Sequence, residues 1–171
     1  KIASGIATSH VPAIGAALDN GKSDQPYWRP LFAGYEASKK YIADLKPELG
    51  LAPAAGSFER YRLQEWLAFI NSEVHKGFSP LFRPTTPEEI KAVAREALAN
   101  RLAYVAGHLE HNEFLTGKQF TVADGYLFTV LNWGQWVGID IKKWPSIAAF
   151  FERVASRPSV IAAKAAEAAQ G

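Results

Sequence analysis

From Ser57 onward, apolar residues recur every three or four positions, a spacing that predicts a series of helices. In SFERYRLQEWLAFINSEVHKGFSPLF the apolar set includes Phe58, Tyr61, Trp66, Phe69, Ile70 and Val74. Ser57 is a good N-cap, and the helix is expected to end or bend at Gly77 or Pro80. TTPEEIKAVAREALANRLAYVAGHLEH opens on a capping box, Thr86 with Glu89 three residues on, and Pro87 is expected at the first helical position. TVADGYLFTVLNWGQWVGI opens the same way, Thr121 capping and Asp124 reaching back. Its interior is apolar on most sides, which predicts a helix at the centre of a bundle. WPSIAAFFERVASRP and PSVIAAKAAEAAQ supply two shorter helices.

The chain before Ser57 has a different character. Residues 1–10, KIASGIATSH, alternate weakly and read as a short strand feeding a loop. Residues 11–26 are rich in Gly, Pro, Asp and Asn and read as loop. PYWRPLFAGYEASKKYIADLK carries Trp28, Leu31, Phe32, Tyr35, Tyr41, Ile42 and Leu45 at helical spacing, with Pro30 a point of interruption. PELGLAPAAGS is then a Pro/Gly/Ala linker and the clearest boundary in the chain. The expected fold is mainly α: a helical bundle preceded by a short strand-loop-helix segment.

Composition narrows the function classes. The 171 residues fit one domain, or one domain with an attached segment. With 48% hydrophobic and 21% charged residues, a sizeable core can form. The 19 Lys and Arg are interspersed with 17 Asp and Glu for a net charge of +2, so neither nucleic acid nor a membrane surface is an expected partner. The absence of cysteine removes disulfides, thiolate metal sites and a cysteine nucleophile. No uninterrupted apolar run is long enough to span a bilayer and no signal-peptide pattern opens the chain, so a cytoplasmic protein is expected.

Two stretches carry resemblances. LAPAAGSFERYRLQEWLAFI, SEVHKGFSPLF, FTVADGYLFTVLNW and WPSIAAFFERVASRPSV together resemble the C-terminal all-helical domain of a bacterial glutathione transferase, most closely the beta class. IASGIATSHVPAIGAA followed by PYWRPLFAGYEASKKYI resembles the amino terminus of the catalytic β subunit of class III extradiol dioxygenases, of the protocatechuate 4,5-dioxygenase and gallate dioxygenase type. The division implied is a dioxygenase-like segment at residues 1–46 and a glutathione transferase C-terminal-like domain at 47–171, a chimera joined near YIADLKPE. Both families occur in bacterial breakdown of aromatic compounds.

The dioxygenase resemblance implies that His10 is a ligand of non-haem Fe(II). Such a site needs two histidines and a carboxylate on one face of the metal. The family's remaining ligands, and its acid/base histidine, lie in regions that have no counterpart here, so the alternative is a ring-cleaving relic whose His10 is no longer a ligand. His108 and His111 form an H-x-x-H at helical spacing, open to two readings: a chelating face, or two rings favoured electrostatically at a helix C-terminus.

The transferase resemblance implies that His75 and Lys76 face the cleft where glutathione and electrophile meet, lowering the cost of the nucleophilic thiolate. It places Phe78, Tyr126 and Trp133 in a pocket for a small hydrophobic or aromatic electrophile. Taken as residues alone, Tyr126 and Trp133 read equally as core, and His75 and Lys76 as a solvated helix end. Ala68 stands where relatives often carry an Asn that helps bind glutathione across a dimer, and Gly125 where a larger residue usually packs, which predicts a looser helix start. The family's thioredoxin-like domain has no counterpart in the preceding residues, which predicts impaired glutathione binding. It also predicts an exposed apolar face, and so a homodimer or self-association. A helical binding or dimerisation module without catalysis is the third reading.

Overall fold

The structure, a computed structural model, describes residues 43–169. The helices are α1 (Phe58–Phe69), α2 (Lys76–Phe82), α3 (Glu88–Leu109), α4 (Val122–Asn132), the single turn α5 (Gly134–Val137), α6 (Pro145–Ala155) and α7 (Pro158–Ala168). A widened π-type turn, Ile70–His75, joins α1 to α2 without a break, and short 3₁₀ turns lie at Pro47–Leu49 and Ile141–Lys143. No strand occurs among the described residues, so the chain is mainly α there, as its periodicity predicts.

The core forms where the apolar stripes meet. Leu63, Leu67, Ile70 and Val74 from the first helical run face Leu98, Leu102 and Val105 of α3, Leu127 and Val130 of α4, and Ile147, Phe150 and Val154 of α6, all at most 1% exposed. Seven of the eleven residues of α4 are buried, which makes it the central helix its all-round apolar sequence predicts. α3 packs along α2, the π turn and α6.

Two helix boundaries differ from expectation. Gly77 and Pro80 do not end the run: α2 passes through both and stops at Phe82, before extended Arg83. A Cβ on Gly77 would stand 3.3 Å from Leu98 Cδ1, so this glycine marks the close approach of α2 to α3. Pro80 lies inside α2, where it cannot donate to the Lys76 carbonyl. The second difference is at α3. Pro87, extended at φ −56° and ψ 149°, is the N-cap itself, and no side chain caps this end. The helix start has moved one residue past the position Thr86 would need to cap it; Thr86 N–H instead closes a turn on the Arg83 carbonyl at 3.1 Å. Ser57 caps α1 as expected, its Oγ accepting from Arg60 N–H at 3.2 Å.

The linker is pinned to the bundle. Leu51 C=O accepts from Val122 N–H at 2.9 Å, Gly50 C=O from Gln119 Nε2 at 2.8 Å and Pro53 C=O from Arg60 Nη1 at 3.0 Å. Arg60 is 5% exposed, and its other arm pairs with Asp44 at 2.5 Å. The predicted strand, loop and most of the helix before residue 43 lie outside the described residues.

Candidate functional site

The turn Ile70–His75 is wider than an α-helical one, closing with Lys76 N–H bonded to the Asn71 carbonyl five residues back. It sets Asn71 and His75, four residues apart, toward Tyr126 on α4. His75 Nδ1 lies 2.6 Å from Tyr126 Oη, which donates to Asn71 Oδ1 at 3.2 Å. The His75 ring also meets Trp133 edge-on, centroids 4.8 Å apart and planes at 80°. Trp133 in turn takes Phe78 at 5.8 Å and Phe82 at 5.9 Å, both edge-to-face. Four of the residues singled out in the sequence, His75, Phe78, Tyr126 and Trp133, thus form one continuous cluster.

Burial differs across the cluster. Phe78 is 1% exposed, Tyr126 2% and Trp133 5%, whereas His75 is half-buried. The three rings lie in the interior and the imidazole stands at the edge of the cluster. Lys76, one residue on, is exposed at the start of α2. Asn71 and Phe82 were not picked out by the sequence. The signal for Asn71 was its spacing of four from His75, which puts both on one helix face.

The helix that carries Tyr126 is fixed at its first turn. Asp124 is fully buried, and its carboxylate accepts from Thr121 N–H at 2.7 Å, the Thr121 hydroxyl at 2.8 Å and Leu115 N–H at 2.8 Å. Burial pushes its pKa up from 3.8 to about 6, these donors and its own backbone N–H pulling it part of the way back. Gly125 stands next in this first turn. The Phe120 ring fills the space beside it, 3.6 Å from where a Cβ would be, and Arg157 stacks over that ring at 4.0 Å. Ala68 is exposed on α1.

His10 lies outside the described residues, and among those described no group of three or more His, Cys, Asp and Glu is placed to hold a metal ion. His108 packs on Trp66 at 4.6 Å, and its Nε2 meets the Leu115 carbonyl at 3.0 Å. Desolvation holds the pKa of His108 below its usual value, with Arg62 lowering it further and the Leu115 bond opposing both. His111 is exposed beyond the helix end. A shallow groove of about 410 Å³ lies between the end of α4 and the Gly138–Lys142 loop, lined by Leu131, Ile139, Ile141 and Phe151 among others, and by none of the predicted pocket residues.

The all-helical bundle around a capped central helix is consistent with the C-terminal domain of a glutathione transferase. Residues 69–158 match the family of the glutathione S-transferase C-terminal domain, and the chain belongs to that family. It is 45% identical over 131 residues to glutathione S-transferase GstA of Escherichia coli O157:H7, an alignment covering 77% of this chain and 65% of the relative. A solved glutathione transferase from Methylococcus capsulatus str. Bath is 50% identical with a TM-score of 0.75, covering 77% of this chain and 66% of that one. A sphingomonad glutathione S-transferase solved in complex with glutathione is 46% identical with a TM-score of 0.74, again covering 77% and 66%. The chain thus spans about two thirds of the length of these relatives. These similarities lend nothing to the dioxygenase-like reading of residues 1–46, to Fe(II), to aromatic catabolism or to the expected impairment. No helix among the described residues is long and apolar enough to cross a membrane.

Proposed function

We propose that this chain is a glutathione transferase-type protein that joins glutathione, as co-substrate, to a small hydrophobic electrophile, with its helical domain at 47–171. His75 and Lys76 act on the thiol, and Phe78, Tyr126 and Trp133 form the wall against which the electrophile rests. The observation that carries this reading is the convergence of His75, Tyr126 and Trp133 from two separate helical runs onto one half-buried imidazole. An imidazole beside a thiol stabilises the thiolate, the nucleophile of conjugation, and an adjacent ammonium adds to the effect.

Calorimetric titration of reduced glutathione into the chain tests the proposal, followed by absorbance assay with an activated chloronitrobenzene. Saturable binding and turnover, both reduced by His75→Ala, are expected; binding and turnover indifferent to that change would refute the assignment. The same reading makes the protein a homodimer. Exposed Phe58, Tyr61, Val93 and Tyr104, between 60% and 73% exposed, supply apolar surface on α1 and α3 for a second copy. A monomeric mass by light scattering would count against it.

A further inference from the structure

Leu115 lies in the loop between α3 and α4, and both its N–H and its C=O are held by titratable side chains, one from each helix. Its carbonyl meets His108 Nε2 at 3.0 Å, and its N–H donates to Asp124 Oδ1 at 2.8 Å. A carbonyl has no proton to give, so the imidazole is the donor in the first bond and Nε2 carries the hydrogen. His108 stands in the last turn of α3 and Asp124 in the first turn of α4. We propose that Leu115 is a clasp between α3 and α4: His108 and Asp124 grip it cooperatively, and His108 thereby helps to set the first turn of α4, the helix that carries Tyr126.

Cooperation between two side chains that grip opposite ends of one residue needs a stiff link, and a tight turn supplies it. Phe114 N–H donates to the Gly117 carbonyl at 2.8 Å, and Gly117 N–H returns a bond to the Phe114 carbonyl at 3.0 Å, with Gly117 at φ 112°. This reciprocal pair makes residues 114–117 one unit, so the Leu115 carbonyl cannot shift without its N–H. The Leu115 side chain is 1% exposed, which leaves the turn little room to pivot. Both grips are themselves seated. The His108 ring lies on Trp66, centroids 4.6 Å apart, and Asn112 Nδ2 donates to the His108 carbonyl at 2.9 Å. Asp124 also accepts from the Thr121 N–H and hydroxyl. Arg153 Nη1 ties the neighbouring Glu113 carbonyl to α6 at 2.7 Å but bonds neither group of Leu115.

Freed at one end, the turn keeps only the other grip, and that grip weakens because both had set its alignment. Without the His108 donor, the slackened turn lets the Leu115 N–H draw away from Asp124. Without Asp124, His108 holds a turn that is no longer tied to α4. Each bond is therefore worth less when the other is missing, whereas bonds at independent sites would simply add. Nothing in this coupling depends on how His75 acts.

Native-state hydrogen exchange of the Leu115 amide in the full chain reads the clasp directly. The amide of Phe150, a 0% exposed residue in the middle of α6, reports global opening alongside it. His108→Leu keeps an apolar body against Trp66 and removes the donor. It is expected to speed exchange at Leu115 by about tenfold beyond any change at Phe150. His108→Gln, whose side-chain amide can still donate to the carbonyl, should stay close to the wild-type chain. A change at Leu115 no larger than that at Phe150, or exchange in His108→Gln as fast as in His108→Leu, overturns the proposal. Thermal unfolding of His108→Leu, Asp124→Ala and the double variant gives a second reading. The double variant should lose clearly less melting temperature than the sum of the two single losses; an additive loss overturns the coupling.

Discussion

Replacing Asp124 by alanine removes the carboxylate that reaches back over the first turn of α4. Two amides lose their partner, Thr121 N–H and Leu115 N–H, at 2.7 and 2.8 Å in the native chain; the Thr121 hydroxyl can turn elsewhere. A buried amide left unsatisfied costs about 1–3 kcal/mol. Against that stands the cost of keeping a fully buried carboxylate ionised. The rise of its pKa from 3.8 to about 6 corresponds to roughly 3 kcal/mol well above pH 6. Two such amides set against that cost leave a net loss of at most about 3 kcal/mol at pH 7.5.

The sign of the pH dependence follows from the direction of the shift. A carboxyl with a raised folded-state pKa contributes stability that is fully present below 3.8 and is lost as pH rises through about 6. The penalty of Asp124→Ala should therefore be larger at pH 5 than at pH 7.5, by roughly 1–1.5 kcal/mol. Urea unfolding followed by far-ultraviolet circular dichroism at both pH values measures it. Equal penalties at the two pH values would refute the assignment of the pH dependence to the buried carboxyl. Asp124→Asn sharpens the comparison: its amide sets a donor against one of the two amides, so it should cost nearly as much and show no such pH dependence.

Two further outcomes are expected. Gly134→Ala should destabilise the chain by about 2 kcal/mol or more, because the new Cβ would stand 2.5 Å from the Ile139 carbonyl oxygen, a backbone atom that cannot move aside. Gly138→Ala should cost only about 1–2 kcal/mol, the penalty of its left-handed φ of 77° in open space, and thermal unfolding should rank the two in that order. His108 should act on the pH profile in the sense opposite to Asp124. Its lowered pKa means a contribution present above its ordinary 6.5 and lost as the pH falls through the lower folded-state value. His108→Gln, which can still donate to Leu115, should therefore lose less melting temperature than the wild-type chain between pH 7.5 and 5; identical losses would show that the ring titrates without consequence for stability.

The order of helices, the Ser57 cap, the Thr121–Asp124 turn and the central place of α4 were legible in the sequence, because each depends on residues within one or two turns of one another. The resemblance to the transferase family, and no local pattern, singled out His75, Phe78, Tyr126 and Trp133, two of them with core packing as an equal reading. In the fold Phe78, Tyr126 and Trp133 are buried, and the His75 ring stands edge-on to Trp133. What the local pattern misjudged were positions whose role depends on a distant neighbour. Gly77 looks like a helix stop until Leu98 of α3 is placed against it, and Thr86 looks like a cap until the chain turns on Arg83. The linker bonds to Val122, the first residue of α4, and to Gln119 just before it, contacts that no local pattern announces. Asn71 carries no sequence signal beyond its spacing; its partner is Tyr126, 55 residues away, and only packing α4 against the wide turn brings the two together. Periodicity and caps act through the backbone nearby and so determined which segments are helices. Which polar group meets which across the bundle depends on helix placement, and that was decided by the tertiary structure alone.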